Sequence, residues 1–141
     1  MGLILLDSNV IVGFLDADDA LHDVSVTALR KLSGTQPLAA SVISYAEVMT
    51  GAELGHHSAE RVVGFFDALI RDLLPVDRPV ATRAATIRDG RRSLPMPDAL
   101  ILATADLHPD IDTVVCGDGD WPKVSGLACK VDLLQPQAAE K

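Results

Sequence analysis

A chain of 141 residues, 48% of them hydrophobic, has enough apolar material for one domain built on one core. A formal net charge of -8 excludes a protein that coats DNA nonspecifically, because such binding runs on Lys and Arg. It leaves open an acid-rich site whose charge a bound cation offsets.

Leu3-Ile4-Leu5-Leu6 is a short continuous apolar run and predicts a buried strand of a parallel sheet. Asp7 stands at its carboxyl end, where open α/β sheets bind ligands. Ser8 or Asn9 is placed to cap a helix over Val10 to Leu15. Asp16-Ala17-Asp18-Asp19 ends that helix as a solvated turn, and His22 to Leu32 forms the next one. Leu38-Ala39-Ala40 is a second strand. Ser44 and Glu47 match a capping box, in which Glu47 only reaches back to a backbone N–H. Ser41 is an equally good cap, and then Glu47 lies one turn inside the helix, free to face the sheet end.

Gly51 to Ser58 reads as a break, with His56 and His57 as surface residues. Ala59 to Leu74 reads as one long helix whose broad apolar stripe (Val62, Phe66, Leu69 and Leu73, widened by Phe65) is core with room for a partner helix. Leu74-Pro75-Val76 is expected as a short edge strand and Arg78 to Arg88 as a helix. Arg83, Arg88, Arg91 and Arg92 form the concentrated basic stretch of an acidic chain. Arg88, Arg91 and Arg92, just before the next acid, are candidates for phosphate contact, against the alternative of a solvated face.

Pro97 suits a first helical turn, and Asp98 beside it complements the helix dipole. Leu102 and Ala105 share its face, which turns Asp98 inward. Thr113 to Cys116 is a strand running into Gly117-Asp118-Gly119-Asp120-Trp121, repeating the opening pattern of an apolar strand closed by a carboxylate. A final short strand is expected within Lys123 to Val131. Residues 1–134 read as a single domain and 135–141 as a polar tail. Cys116 and Cys129 have neither metal-ligand spacing nor a disulfide framework, which suits a reducing, cytoplasmic setting. The apolar start lacks the preceding basic residue of a signal peptide, and no stretch approaches the roughly 20 apolar residues of a membrane span.

Asp7 and Asp118 end strands, while Glu47 and Asp98 lie near helix starts. In a right-handed wound sheet these positions fall along one edge. Oxygen donors without His or Cys favour Mg²⁺ or Mn²⁺, one or two ions, with Ser8 and Asp120 as auxiliary groups. There is no nucleophile with a neighbouring base and no P-loop. The chemistry left is metal-assisted phosphodiester hydrolysis.

Leu6-Asp7-Ser8-Asn9, Ser41 through Glu47, Pro97 through Ala103 and Val114 through Trp121 together resemble PIN-domain proteins, and more narrowly the VapC toxins of type II toxin–antitoxin pairs. The resemblance spans nearly the whole chain. It implies a PIN-like α/β/α sandwich with a central, mainly parallel sheet of four to five short strands. It also implies an Mg²⁺- or Mn²⁺-dependent endoribonuclease, usually dimeric and blocked by a cognate antitoxin. By this match Asp7, Glu47, Asp98 and Asp118 are the acidic quartet and Asp120 an auxiliary acid. Asp7, Asp98 and Asp118 would bind metal directly, and Glu47 and Asp120 directly or through water. Cys116 stands where the family often has Thr or Ser, and Trp121 where Phe is common. An antitoxin helix would fill an apolar groove at Val62, Phe65, Phe66 and Leu69. The alternatives are a PIN nuclease of RNA processing without an antitoxin, a receiver-like phosphoacceptor module using Lys123, and a non-catalytic module whose acids only cap helices.

Overall fold

The protein is described over residues 2–136 by a computed structural model. The chain runs β1 (Leu3–Leu6), α1 (Ser8–Leu15), α2 (His22–Ser33), β2 (Leu38–Ser41), α3 (Val42–Glu53), α4 (Ala59–Leu69), β3 (Ile70–Leu74), α5 (Arg78–Gly90), α6 (Met96–Leu107), β4 (Ile111–Cys116) and β5 (Lys130–Leu133). A single 3-10 turn, Trp121–Lys123, lies between β4 and β5. All five strands are parallel, in the order β3-β2-β1-β4-β5. This is the α/β architecture with a central parallel sheet that the resemblance implies.

β1 is buried on both faces, which is why it reads as an unbroken apolar run rather than an alternating one. Leu3 and Leu5 point into a core shared with α5 and α6, through Val80, Ala84, Leu94, Ile101 and Leu102. Ile4 and Leu6 point into the opposite core, with Val10, Leu29, Val48, Val62 and Phe66 from α1 to α4. One strand thus serves two hydrophobic layers through its two-residue side-chain period.

Three boundaries differ from the sequence reading. The expected helix over 59–74 ends at Leu69, and Ile70–Leu74 is the edge strand, paired with β2 from Leu38↔Ile70 to Ser41↔Leu74. Ile70 and Leu73 continue a helical spacing by coincidence, and the exposed Arg71 and half-buried Asp72 suit a strand at the sheet's rim. α3 continues through Gly51 to Glu53, so the break is shorter than Gly51 to Ser58. The last strand is Lys130–Leu133 rather than a segment starting near Lys123, because Trp121–Lys123 forms the 3-10 turn. The tail expected at 135–141 falls outside the described residues beyond Pro136. Among the described residues, no helix is long and apolar enough to cross a membrane.

Candidate active site

The strand order places β1 at the turning point of the sheet. From β1 the chain builds outward through β2 and β3, then returns to β1's other side as β4. The carboxyl ends of β1 and β4 flank the crevice that such a reversal opens, which is where open α/β sheets bind ligands. Asp7 ends β1, and its amide donates to the Val115 carbonyl on β4 at 2.9 Å. In return the Gly117 amide donates to Asp7 Oδ2 at 3.3 Å. Gly117 leaves room here: a Cβ would lie 2.4 Å from Leu21 Cδ1 and 3.2 Å from Asn9 Cβ, so the Leu21 side chain would have to shift.

The helix after Asp7 begins at Ser8, two residues earlier than expected. Asp7 itself is the N-cap residue, Ser8 is already helical, and no side chain caps the helix. Ser8 is therefore not spent on a cap, and its hydroxyl donates to Glu47 Oε1 at 2.5 Å. The two sequence readings of Glu47 are resolved at Ser41, whose Oγ accepts from the Ile43 amide at 3.0 Å. With Ser41 as the cap, Glu47 lies inside α3 and reaches across to α1.

Asp98 sits in the first turn of α6, next to Pro97, with Leu102 and Ala105 buried on the same side. Its Oδ2 accepts from Trp121 Nε1 at 3.0 Å. Trp121 is fully buried, so this donor is fixed in place. Asp118 accepts from the Asp120 amide at 2.8 Å, and Asp120 Oδ1 accepts from Arg91 at 3.0 Å, with Lys123 Nζ at 3.9 Å. The Asp16–Asp19 cluster stays a turn: Asp16 and Asp19 accept from the amides of Asp18 and Leu21.

Electrostatics link the acids. Asp7 is 3% exposed, and burial pushes its carboxyl up to about 7, helped by the charges of Asp98 and Glu47 against the opposing Gly117 amide. Burial also raises Asp98, with Asp118 adding to the rise and the Trp121 hydrogen bond opposing it. Acids from β1, α3, α6 and the loop after β4 thus act on one another at one sheet edge. Among the described residues, no three His, Cys, Asp or Glu side chains are gathered closely enough to hold an ion as they stand. The donors suit a hard cation: Cys116 is buried, its thiol is pushed up to about 12, and it stays a neutral group near the Asp118 carbonyl at 3.7 Å.

Two groups of expected site residues are placed differently. Arg88 donates to the backbone carbonyls of Leu94 (2.7 Å) and Arg92 (3.1 Å), so it clamps the loop before α6 rather than offering a free charge. Arg92 is at the surface beside Asp89, and of the three arginines only Arg91 reaches the acids. Val62, Phe65 and Phe66 pack into this chain's own core. Phe66 also lines an open cleft with Tyr45, Val63 and Ile70, and Leu69 lines another, of about 350 Å³, with Phe14 and Val26. The contributions of Trp121 and the Gly117 amide were missed. The only tryptophan of the chain, three residues after Asp118, was the available signal.

No curated protein sequence matches the chain significantly. Among solved structures, it is similar to VapBC2 from Rickettsia felis bound to a promoter DNA fragment, with TM-score 0.73, 15% identity and coverage of 94% of this chain and 99% of that one. It is similar to FitAcB from Neisseria gonorrhoeae, with TM-score 0.70, 27% identity and coverage of 92% and 96%. It is also similar to VapC20 from Mycobacterium tuberculosis, a sarcin-ricin loop cleaving toxin, with TM-score 0.66, 18% identity and coverage of 90% and 98%. The profile of the PIN domain matches residues 4–127, from β1 to beyond the 3-10 turn, and so takes in every acid gathered at the sheet edge. The chain belongs to the PIN-domain family.

Proposed function

We propose that this protein is a divalent-metal-dependent endoribonuclease, the cytoplasmic toxin of a toxin–antitoxin pair. One observation carries the reading: Asp7 is buried at the switch of the sheet, at the end of β1, with the fixed acids Glu47 and Asp98 close enough to raise its carboxyl. A buried acid surrounded by acids is costly unless a cation compensates it, and strongly perturbed groups in a crevice mark functional sites.

Asp7, Asp98 and Asp118 would hold Mg²⁺ or Mn²⁺, with Glu47 and Asp120 joining directly or through water. Bound there, such an ion supplies a lowered water pKa and neutralises charge on phosphate oxygens. The chain's own residues supply the positioning. Gly117 fixes the Asp7 carboxylate, Ser8 fixes Glu47, and Trp121 fixes Asp98. Hydrolysis adds water's hydroxide to phosphorus in line with the departing 3′ oxygen. That bond breaks, the proton goes to the leaving oxygen, and the products carry 5′-phosphate and 3′-hydroxyl ends.

The antitoxin role rests on the likeness to toxin–antitoxin structures, and a partner helix would dock on the α4 side, where Phe66 and Leu69 line open clefts. A homodimer is proposed only as what the resemblance to VapC toxins implies. The test is cleavage of a mixed RNA pool with Mg²⁺, Mn²⁺ or EDTA. Metal-dependent, discrete cuts by wild type that vanish in Asp7→Asn and Asp98→Asn support the reading, and cuts shared by wild type and variants refute it. Induced expression then separates the two nuclease roles: a toxin arrests growth and a processing enzyme does not.

A further inference from the structure

The structure has a cavity of about 380 Å³ beside the acids that no step above uses. Arg83, Arg91 and Lys123 line it, with Thr86, Ser125 and Gly126, and none of its lining residues is acidic. In a chain with 20 acidic and 12 basic residues, three cations around an acid-free cavity mark it as a place for an anion.

The two arginines are anchored from behind. Arg83 donates through Nε to Asp106 at 2.7 Å and through a terminal nitrogen to the Gly126 carbonyl at 3.1 Å. Arg91 is held by Asp120, and its Nε is sealed from water without an acceptor. Lys123 is mostly exposed and only loosely paired with Asp120. Two guanidinium groups held in fixed positions and one mobile ammonium suit a phosphate.

The cavity shares a wall with the acid site. Arg91 and Lys123 both approach Asp120 Oδ1, and the amide of Asp120 donates to Asp118. Asp120 thus stands between the acids and the cavity, in contact with both. We propose that the Arg83–Arg91–Lys123 cavity is a phosphate subsite that seats a backbone phosphate of single-stranded RNA next to the one being cut. This rests on the nuclease reading and deepens it. It also reassigns the substrate contacts that the sequence placed on Arg88 and Arg92.

The test is the anisotropy of a labelled, short single-stranded RNA titrated with full-length protein in EDTA, where binding is read without cleavage. Lys123→Gln removes one cation, and Ser125→Glu places an anion in the cavity at an exposed position. Lys130→Gln, on β5 and outside the cavity lining, makes the same charge change as Lys123→Gln. Melting curves confirm that all three are folded. Both cavity variants should weaken binding several-fold and lower the slope of log affinity against log salt by about 0.7 for each lost contact, while Lys130→Gln should match wild type. Cavity variants that bind like Lys130→Gln, or a wild type that binds no RNA, overturn the subsite. Metal-dependent cleavage is scored separately on the same proteins. Cleavage that survives unchanged binding leaves the nuclease standing without this subsite. Weakened binding by variants of a protein that never cleaves leaves the subsite standing without the nuclease.

Discussion

Replacing Asp7 by Asn should make the metal-free protein more stable, and increasingly so as pH rises. The Asp7 carboxyl goes from 3.8, its ordinary value, to about 7 in the fold, chiefly through burial and then through the charges of Asp98 and Glu47. At about 1.4 kcal/mol per pH unit, that displacement costs the ionised fold about 4 kcal/mol. Below pH 3.8 both folded and unfolded chains hold the proton and there is no penalty. Between 3.8 and about 7 the unfolded chain has lost a proton that the fold still keeps, so stability falls as pH rises. Above about 7 the whole penalty is present. Asn has no charge to bury and still offers Gly117 an acceptor. Calorimetric melts of both proteins in EDTA should therefore nearly coincide around pH 4 and separate by on the order of 10 °C at pH 8, Asn higher. Millimolar Mn²⁺ should raise the melting temperature of wild type alone. A variant less stable than wild type at pH 8, or a difference flat with pH, would refute the idea that Asp7 is a strained acid awaiting a cation.

Other perturbations follow from single contacts. Trp121→Phe keeps most of the buried volume but removes the donor to Asp98, so Mn²⁺ affinity measured by calorimetry should fall on the order of tenfold; unchanged affinity would mean the indole only packs. Cys116 is buried and its thiol raised to about 12, whereas Cys129 is only half-buried. Iodoacetamide at pH 8 should label Cys129 first, as read by peptide mass spectrometry, and faster labelling of Cys116 would show the strand end to be open. Arg88→Gln loses two bonds to backbone carbonyls and should cost about 2 kcal/mol in denaturant melts, while RNA affinity stays at the wild-type level.

The site was legible where local sequence alone sets position. Asp7 and Asp118 follow apolar strands, and Asp98 follows the proline that starts its helix, so their places depend on neighbours in the chain. Glu47 was ambiguous because Ser41 and Ser44 are equally competent caps, and only the strand leading into Ser41 decides between them. The end of α4 was misread because Phe66, Leu69, Ile70 and Leu73 keep a helical spacing although Ile70 and Leu73 pair with β2. The basic stretch could not be divided from sequence for a different reason. Arg88 and Arg91 are close in sequence but meet different acceptors, a backbone loop and Asp120, which only the packing of α5 against the loop after β4 can show. The same holds for Trp121, whose partner lies 23 residues away.

The most direct test of the central claim is a calorimetric titration of Mn²⁺ into metal-free wild type and Asp98→Asn. Saturable binding by wild type that is lost or strongly weakened in Asp98→Asn is the predicted result. No heat from wild type at millimolar Mn²⁺, or equal binding by the two proteins, would contradict the convergence of these acids on a metal.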